Sequence, residues 1–531
     1  MGMILGFMSK DNHYLSSDYE NFKGKVKERV FKETAWKNEK ITGEFIVLRE
    51  EGILEENDEF TLKITDLSNE SGEKIKAENI EFSLIKPVRA EGEMIPDILE
   101  KAESFSFKDE KFKSFWFSIK VPENCEKGIY KGKIKIIQGE EVKESLSINL
   151  EVLDITLPSV EEWTFHLDLW QNPYSVARYF NVELWSEEHF NYLKPHMERL
   201  KNAGQKVITT TIVHDPWKSQ TYDPYESMVK WIKKEDGSFE FDYSIFDKWV
   251  EFCMDIGIDK QINAYTMVSW NEKFKYFDEI QGEYIIKDVK IGGEEWKENF
   301  RQFIVSFKSH LEEKGWKEKT YIAMDERPVE TMKAVFELLD GTGFKISGAM
   351  NYGNVGEIVD KIDEISMSIN EVNENFKKIF KERKEKGKVS TYYVCTGLYP
   401  NVFTKSKPAE GVWLAWYAEK CKVDGFLRWA YDSWVENPLE TTDHVTWESG
   451  DCFLVYPERS SLRFERLFEG IQDNEKIRYI RKNHKEYENK VDEILEELKR
   501  GYSPNDGVDF SFEINKAKKS LEKLTKTIIN M

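Results

Sequence analysis

The stretch TYIAMDE, residues 320–326, is an apolar run that ends in two adjacent acids, and an amphipathic segment follows it over residues 328–340. A continuous apolar run of this length is typical of a strand that is buried on both faces of a sheet. The same order of strand and helix recurs between residues 163 and 482. The other predicted strands are 163–170, 206–213, 260–267, 345–350, 364–369, 389–396 and 425–431.

Eight alternations of strand and helix are the number that closes a (β/α)8 barrel. An open, doubly wound sheet is the alternative, but no glycine-rich phosphate-binding turn follows the first predicted strand. We therefore predict a (β/α)8 TIM-type barrel over residues 158–483, with a hairpin inserted at residues 271–292. The predicted helices are 186–203, 243–256, 294–315, 328–340, 355–361, 371–387, 410–422 and 461–482.

The chain before the barrel has a different period. Between about residue 25 and residue 155, apolar and polar residues alternate along segments that turn-rich stretches separate. These segments are 44–50, 59–67, 80–88, 114–121, 130–137 and 145–153. The pattern predicts an N-terminal antiparallel β-sandwich over residues 1–157. The Lys- and Glu-rich end of the chain, residues 484–531, predicts a C-terminal helical extension that packs on the barrel.

The composition excludes several classes of partner. The chain carries 98 acidic and 77 basic side chains, a formal net charge of −21, which repels phosphate backbones and anionic lipid surfaces. We therefore expect no nucleic acid partner and no membrane insertion. The five cysteines are scattered without a C-x-x-C pair, which argues against a zinc ribbon and a disulfide framework. No signal peptide is visible, so we expect a cytoplasmic location, with release from the cell left open.

Asp325 and Glu326 end the fourth predicted strand of the barrel. In enzymes with this fold the C-terminal ends of the strands carry the catalytic groups, so the two acids are a candidate catalytic pair. The alternative is structural: Asp325 would cap the helix that begins near Pro328, and Glu326 would be a solvated charge. Position alone does not choose between the two interpretations.

Polar and aromatic residues also follow other predicted strands. They are Trp170, His214, Asn351, Tyr393, Trp429, Asp432 and Trp434. In a barrel these positions converge on one face, and a concave site of acids, amides and aromatic rings suits a sugar, whose C–H face packs on an indole. The cluster lacks two histidines at ligand spacing, so we expect neither a metal nor a cofactor.

The adjacency of the two acids bears on mechanism. Ordinary glycosidases place two carboxyls on opposite sides of the scissile bond, about 5 Å or about 6.5–9.5 Å apart, and adjacent residues do not easily straddle a sugar. The pair fits better a scheme in which the 2-acetamido oxygen of the substrate attacks the anomeric carbon. One acid then protonates the leaving oxygen, while the other orients the amide and offsets the positive charge that develops.

Several segments resemble glycoside hydrolase family 123: MDE (324–326), YYVCTGLYPN (392–401), GFLRWAYDSW (425–434) and GDCFLVYPERSSLRFERLFEGIQD (450–473). The resemblance extends into the predicted sandwich, where GIYKGKIKI (128–136) carries it. It implies an N-terminal β-sandwich followed by a (β/α)8 barrel. It also implies a retaining, exo-acting β-N-acetylgalactosaminidase that works by acetamido-assisted catalysis through an oxazolinium.

The resemblance also implies roles for single residues. Glu326 would be the general acid/base, and Asp325 would orient the acetamido group and stabilise the oxazolinium. Three further assignments rest on motif position and on the chemistry of a sugar pocket: Tyr393 is the candidate for a hydrogen bond to the acetamido oxygen, and Trp429 and Trp434 are candidates for walls of the pocket. The implied partner is a glycan with terminal β-linked N-acetylgalactosamine, of the glycosphingolipid type.

Two alternatives stay open. A conventional glycosidase would combine Glu326 with a distant acid such as Asp432 or Glu436. A non-catalytic sugar-binding barrel would bind the same ligand without turnover, although the intact Asp–Glu pair favours an enzyme. The residues themselves do not decide between a galacto and a gluco sugar, which differ in the orientation of one hydroxyl. They also leave the oligomeric state undecided.

Overall fold

The computed structural model describes residues 2–50, 58–351, 356 and 358–530. The short helix α1 (Tyr19–Phe22) precedes most of the N-terminal strands. These strands are β1 (Met3–Met8), β2 (Val30–Lys37), β3 (Lys40–Arg49), β4 (Phe60–Ile64), β5 (Leu67–Ser68), β6 (Lys74–Ile75), β7 (Ile80–Ala90), β8 (Glu93–Lys101), β9 (Ser104–Phe105), β10 (Phe112–Lys120), β11 (Gly128–Gln138) and β12 (Glu141–Thr156).

Two sheets form an N-terminal β-sandwich, as predicted. One sheet has the order β1–β3–β10–β7–β8, and the other has the order β2–β12–β11–β4–β9 with β5 and β6 beside β11. The alternation along β11 places Tyr130, Ile134 and Ile136 in the core, while the lysines between them face outward. Phe45 of β3 stacks on Phe115 of β10 with ring centroids 5.1 Å apart, so aromatic rings fill much of this core.

The sandwich departs from a purely antiparallel arrangement at one pair of strands. β2 and β12 are parallel, with Val30 opposite Ser147. The two strands are far apart in sequence, so no tight hairpin imposes an antiparallel direction on them. The segments of β1, β2 and β8 were not predicted as strands. In β8 the reason is Pro96, which weakens a strand pattern and is tolerated only where a ladder is irregular.

The remaining strands follow in chain order: β13 (His166–Leu169), β14 (Val207–Thr211), β15 (Lys230–Lys233), β16 (Phe239–Asp242), β17 (Gln261–Tyr265), β18 (Lys273–Asp278), β19 (Glu283–Asp288), β20 (Thr320–Asp325), β21 (Lys345–Met350), β22 (Glu364–Ser368), β23 (Val389–Tyr393), β24 (Gly425–Arg428) and β25 (Ser460–Ser461). The helices are α2 (Pro173–Phe180), α3 (Glu187–Asn202), α4 (Ser244–Ile256), α5 (Glu294–Lys314), α6 (Val329–Leu339), α7 (Glu374–Glu385), α8 (Pro408–Lys420), α9 (Leu462–Asn483), α10 (Glu488–Glu496) and α11 (Phe510–Ile529).

Eight parallel strands form a nearly closed barrel, in the order β13–β24–β23–β22–β21–β20–β17–β14. The Lys206 amide donates to the Leu167 carbonyl at 3.0 Å, which brings β14 beside β13 and joins the two ends of the sheet. Every predicted barrel strand overlaps one of these strands, so the predicted barrel is confirmed. Its helices cover the strands with apolar faces: α5, for example, buries Phe300, Phe303 and Phe307.

The structure adds elements that the sequence pattern did not reveal. The predicted hairpin at 271–292 is present as β18 and β19, and it joins β15 and β16 in a second sheet of order β16–β15–β18–β19. Helix α2 was also not predicted; Asn172 caps it by accepting hydrogen bonds from its first turn. The predicted helix at 355–361 lies partly outside the described residues, which show a 3-10 turn over Val359–Lys361.

The C-terminal extension is helical, as predicted, and it contacts both parts of the molecule. Helix α11 packs on α8 of the barrel, and its Lys526 Nζ lies 2.8 Å from Glu151 Oε2 of β12. The boundaries predicted at residues 157 and 483 lie between β12 and β13 and at the end of α9. The division of the chain into a sandwich domain, a barrel domain and a C-terminal extension at these boundaries stays a prediction. Among the residues described above, no helix is both long and apolar enough to cross a membrane.

Buried ion pairs join the sandwich to α9 of the barrel. The pairs are Arg463–Asp97, Arg466–Asp11 and Lys476–Glu39. Arg463 Nε lies 2.8 Å from Asp97 Oδ2, and both side chains are almost completely buried. A buried charge that loses its partner is costly, so these pairs hold the two parts in a fixed relation.

We expect Arg463→Met to lower the free energy of unfolding by about 3–5 kcal/mol, because Asp97 would be left as a buried charge without its cation. Urea unfolding of the full chain measures this. The matched control is Arg301→Met, which removes a solvent-exposed pair with Glu298 and should cost less than about 1 kcal/mol. Equal effects of the two substitutions would contradict a structural role for the buried pair.

Candidate active site

The acidic pair lies at the C-terminal end of β20. This strand pairs with β17 and β21, and Asp325 lies opposite Ala349. Glu326 has a φ of +44°, a left-handed conformation, and its N–H donates to the Ala349 carbonyl at 2.9 Å. Consecutive side chains of an extended strand point to opposite faces, so the turn at Glu326 lets both carboxyls line one cavity. Strained backbone of this kind is frequent at functional sites.

Tyr393, the last residue of β23, contacts Glu326. Its hydroxyl donates a hydrogen bond to Glu326 Oε1, and its side chain is buried. Burial raises the pKa of Tyr393 far above its ordinary value, and the charge on Glu326 raises it further. Tyr393 is therefore a hydrogen-bond donor throughout the physiological pH range.

Burial raises the pKa of both acids. The pKa of Asp325 lies well above its ordinary value, because the charge on Glu326 adds to the effect of burial while the Trp217 indole and Arg327 oppose it. For Glu326, the hydrogen bond from Tyr393 opposes the rise in pKa that burial causes. Two carboxyls this close titrate as a pair, and their repulsion disfavours the doubly ionised state. The pair therefore keeps one proton at pH values where two isolated carboxyls would both be ionised.

Indole rings surround the acidic pair. Trp170 and Trp217 have ring centroids 5.1 Å apart, and Trp429 and Trp447 meet edge to face at 6.0 Å. Trp270 donates from Nε1 to the Asp325 carbonyl at 3.0 Å. Rings beside two acids form a concave surface that suits the C–H face of a sugar. The lining also includes Gln220, Ala349, Cys395, Thr396, Leu427 and Asp451.

The structure brings together some of the residues predicted to bind substrate. Trp170, Tyr393 and Trp429 line the cavity beside the acidic pair. His214 and Asn351 fall outside the described lining. His214 Nδ1 lies 2.8 Å from Glu226 Oε2, and Asn351 is exposed where the chain leaves β21.

Asp432 and Trp434 are buried away from the cavity, where the loop after β24 packs on the helices. Asp432 Oδ1 accepts a hydrogen bond from the Asn172 amide at 2.7 Å, and burial raises the pKa of Asp432 to about 7. The Trp434 indole packs between Tyr179 of α2 and His196 of α3. Trp434 is therefore placed in the core rather than in the pocket wall, and the distant acid considered above, Asp432, does not face the cavity.

Trp217, Trp270, Trp447 and Asp451 line the cavity but were not predicted. Trp217 and Trp270 follow the ends of β14 and β17 by a few residues, so a wider search around each predicted strand end would have found them. Trp447 and Asp451 belong to the long loop between β24 and β25, where no periodic pattern exists to place a side chain.

Comparisons with known proteins show which family the chain is similar to. The model described as "Glycoside hydrolase 123, catalytic domain" matches residues 170–480, and "Glycoside hydrolase 123 N-terminal domain" matches residues 7–138. A solved family 123 glycoside hydrolase from Clostridium perfringens is 34% identical, with a TM-score of 0.93 over 100% of this chain and 99% of that chain. A Bacteroides ovatus GH5 xyloglucanase is 9% identical over 83% of this chain and 98% of its own, with a TM-score of 0.32. No curated protein matches the chain.

The catalytic-domain match covers more than half of the chain, and the similarity to the Clostridium perfringens structure extends over its full length. The matched region includes Asp325 at the end of β20, Glu326 directly after it, and Tyr393 at the end of β23. The resemblance that the motifs indicated is confirmed. The chain belongs to glycoside hydrolase family 123, and the protein is a glycoside hydrolase.

Proposed function

We propose that this glycoside hydrolase is a retaining, exo-acting β-N-acetylgalactosaminidase that releases terminal β-linked N-acetylgalactosamine. The observation that carries the proposal is the Asp325–Glu326 pair, whose carboxyls line one cavity because Glu326 is left-handed. The work on the Clostridium perfringens relative concerns glycolipid glycan hydrolysis, which supports glycosphingolipid-type oligosaccharides as the substrate class.

In the first step of the proposed mechanism, the acetamido oxygen of the bound sugar attacks C1 of the same sugar. Glu326 gives its proton to the glycosidic oxygen, the bond from C1 to that oxygen breaks, and a cyclic oxazolinium forms. Asp325 accepts a hydrogen bond from the acetamido N–H and offsets the positive charge. This hydrogen bond favours the ionised form of Asp325, so the single proton of the pair moves to Glu326 when substrate binds.

In the second step, water attacks C1 from the face that the leaving group has left. The ionised Glu326 takes a proton from this water, the bond from C1 to the acetamido oxygen opens, and the acetamido group is restored. Two inversions at C1 leave the β configuration, and the acidic pair regains its proton.

In this mechanism the single hydroxyl proton of Tyr393 can be donated to either of two acceptors, Glu326 or the acetamido oxygen of the substrate. In the free protein it donates to Glu326 Oε1. A hydrogen bond to an ionised carboxylate is stronger than one to a neutral acid, so protonation of Glu326 weakens this contact. The hydroxyl is then free to donate to the acetamido oxygen, which is the role predicted for Tyr393 from its position in the motif.

We expect Tyr393→Phe to lower kcat/KM about 10- to 100-fold and to move the alkaline limb of its pH profile to higher pH. The hydrogen bond from Tyr393 favours ionised Glu326, so its loss raises the pKa of Glu326 and keeps the proton donor protonated longer. Tyr392→Phe is the matched control, because the Tyr392 hydroxyl donates to the Leu414 carbonyl instead and the limb should stay in place. An alkaline limb that moves to lower pH in Tyr393→Phe would contradict the assignment.

The proposed function is tested with the p-nitrophenyl β-glycosides of N-acetylgalactosamine, N-acetylglucosamine and galactose. We expect release from the N-acetylgalactosaminide and none from the plain galactoside, because the galactoside lacks the acetamido nucleophile. A thiazoline analogue of the oxazolinium should inhibit. No release from any of the three substrates would contradict the proposal.

A conventional two-carboxylate glycosidase is a second candidate, because a further carboxyl, Asp451, lines the same cavity. One of its oxygens, Oδ1, lies 2.8 Å from Arg428 Nη2, which makes it a poor nucleophile. Cleavage of the plain galactoside at a comparable rate, without inhibition by the thiazoline, would favour this candidate over the acetamido-assisted mechanism.

A further inference from the structure

The solvent-facing side of one sheet of the sandwich carries a cluster of lysines. In β2, β4, β11 and β12 one set of alternate side chains points into the core, and the other set points to solvent. Five lysines occupy the solvent side. Lys135 is half-buried, and the other four are exposed: Lys32, Lys63, Lys131 and Lys133. These five residues form the lysine face.

Strand pairing brings these lysines close together. Three of them follow one another along β11 at steps of about 7 Å, the distance between alternate residues of a strand. Lys63 of β4 lies opposite Lys135 of β11. Asn149 of β12 lies opposite both Lys32 and Lys131, so these two lysines are two strand spacings, or about 10 Å, apart. Five positive charges therefore share one area of the sheet.

Acids of the same strands do not neutralise the lysine face. Glu151 of β12 points to this side, but Lys526 of α11 pairs with it, with 2.8 Å between Nζ and Oε2. Glu144, earlier in β12, pairs with Arg29. Among the residues that the structure describes, none of the five lysines forms an ion pair. The chain has a formal net charge of −21, but the Debye length is about 8 Å at physiological ionic strength, so acids on distant surfaces are screened and the face is locally positive.

The lysine face adjoins a cleft between the sandwich and α11. The cleft has a volume of about 680 Å³, and Lys32 and Lys131 line it on the side of the sheet. Lys519 lines the wall that α11 forms; it is exposed and makes no ion pair within residues 2–50, 58–351, 356 and 358–530. The buried acids deeper in the cleft are already paired, as Glu469 is with Lys518. Cations without an acidic partner therefore stand on both sides of the opening.

The other groups on this surface suit a hydroxyl-rich polymer. Ser145, Ser147 and Asn149 of β12 each lie opposite one of the three lysines of β11, so hydrogen-bonding groups alternate with charges. Along the outward positions of these four described strands there is no exposed aromatic ring, which is what the bases of single-stranded nucleic acid stack on. A cleft with two walls also admits a single polymer chain more readily than a planar lipid surface. These features together favour a charged polysaccharide over the other polyanions.

We propose that the lysine face and the adjoining cleft bind an anionic polysaccharide, a chain of sugars that carries sulfate or carboxylate groups. The lysines would pair with the anionic groups, while the serines and Asn149 would bind hydroxyls. This surface shares no lining residue with the catalytic cavity, so the inference goes beyond the proposed function and does not depend on it. Binding here would hold the hydrolase on a charged glycan while the barrel remains free to act.

The test measures binding of the full chain to immobilised chondroitin sulfate, hyaluronan and neutral dextran. We expect chondroitin sulfate to bind more tightly than hyaluronan, because it carries sulfates in addition to carboxylates, and dextran not to bind. Raising the NaCl concentration from about 50 to about 200 mM should weaken binding at least about tenfold, because a polyanion releases its counterions when lysines neutralise it.

The decisive variant replaces the three lysines of β11 together: Lys131→Gln, Lys133→Gln and Lys135→Gln. The Kd for chondroitin sulfate should rise by about 10- to 100-fold, since each lysine near an anionic surface contributes up to about fivefold. The matched control removes the same charge from exposed positions on the barrel helices α4 and α7: Lys248→Gln, Lys378→Gln and Lys381→Gln. Its Kd should stay within about twofold of wild type, because these positions lie outside the lysine face.

The remaining outcomes would overturn the proposal. One is failure of the wild-type chain to bind either anionic polysaccharide; another is an equal loss of binding in the two triple variants, which would indicate net charge alone. Tighter binding to duplex DNA or to phosphatidylserine vesicles than to chondroitin sulfate would indicate a different partner. If thermal unfolding shows that the β11 variant does not fold, Lys32→Gln combined with Lys519→Gln replaces it, with an expected rise in Kd of about 5- to 20-fold. None of these measurements uses hydrolysis, so they stand whether or not the proposed function holds.

Discussion

Glu326→Gln is expected to lower kcat/KM by about 10³- to 10⁴-fold on natural oligosaccharides and by less than about tenfold on aryl glycosides with good leaving groups. The reason is that only a poor leaving group needs the proton that Glu326 supplies when the glycosidic bond breaks. Gln keeps the shape of the side chain but has no proton to give. Rates on a series of aryl glycosides with different leaving-group pKa values measure the effect as a slope.

The matched control for this substitution is Glu330→Gln, at an exposed position in the first turn of α6. It makes the same chemical change outside the cavity and should leave both rates unchanged. If Glu326→Gln slowed poor and good leaving groups equally, Glu326 would not be the proton donor, and its contact with Tyr393 would have only a positioning role.

Asp325→Asn is expected to lower kcat/KM by about 10²- to 10³-fold on both substrate classes, because the oxazolinium must form whichever group leaves. Asn still offers an oxygen to the acetamido N–H, but it no longer carries the charge that offsets the oxazolinium. Asp340→Asn, at the exposed end of α6, is the matched control and should have no effect. Full activity of Asp325→Asn on aryl N-acetylgalactosaminides would remove Asp325 from the mechanism.

The two substitutions together distinguish the roles of neighbouring residues. We expect the dependence of rate on leaving-group pKa to become steeper than wild type in Glu326→Gln and to stay as in wild type in Asp325→Asn. This difference is expected only if one acid transfers a proton and the other stabilises charge. The same slope at both positions would instead indicate that the pair acts as one unit, with the proton shared between two carboxyls whose pKa values burial and repulsion have raised.

The barrel and its acidic pair could be predicted because they depend on local patterns. Continuous apolar runs such as that of β20 alternate with amphipathic helices, and this alternation alone indicates which residues end a strand. Asp325, Tyr393 and Trp170 occupy such ends, and each lines the cavity. The end of a strand can be assigned from the local pattern alone, and in a barrel all the C-terminal strand ends lie on the catalytic face.

The residues that were misplaced or missed lie in segments whose path is set by tertiary contacts rather than by a local sequence pattern. Trp434 and Asp432 are only a few residues beyond β24, yet the loop carries them onto α2 and α3, and Asp451 returns to the cavity from the same loop. The loop has no repeating pattern of apolar residues that would show which side chains turn toward the helices and which turn toward the cavity. In the sandwich, β2 depends on a parallel partner that lies more than a hundred residues later, so its pattern has no neighbouring strand to support it.

The short strand β25 pairs with β8, with Ser461 opposite Ile98, although it follows the whole barrel in sequence. During synthesis the chain therefore exposes the outer edge of β8 until about 360 further residues have been made. At 5–20 residues per second this interval lasts roughly 20–70 s on the ribosome. Throughout it, the unpaired N–H and C=O groups of β8 can add a strand from another nascent chain. Completion of the N-terminal sheet is thus a late event of translation, because its last strand is made only after the whole barrel.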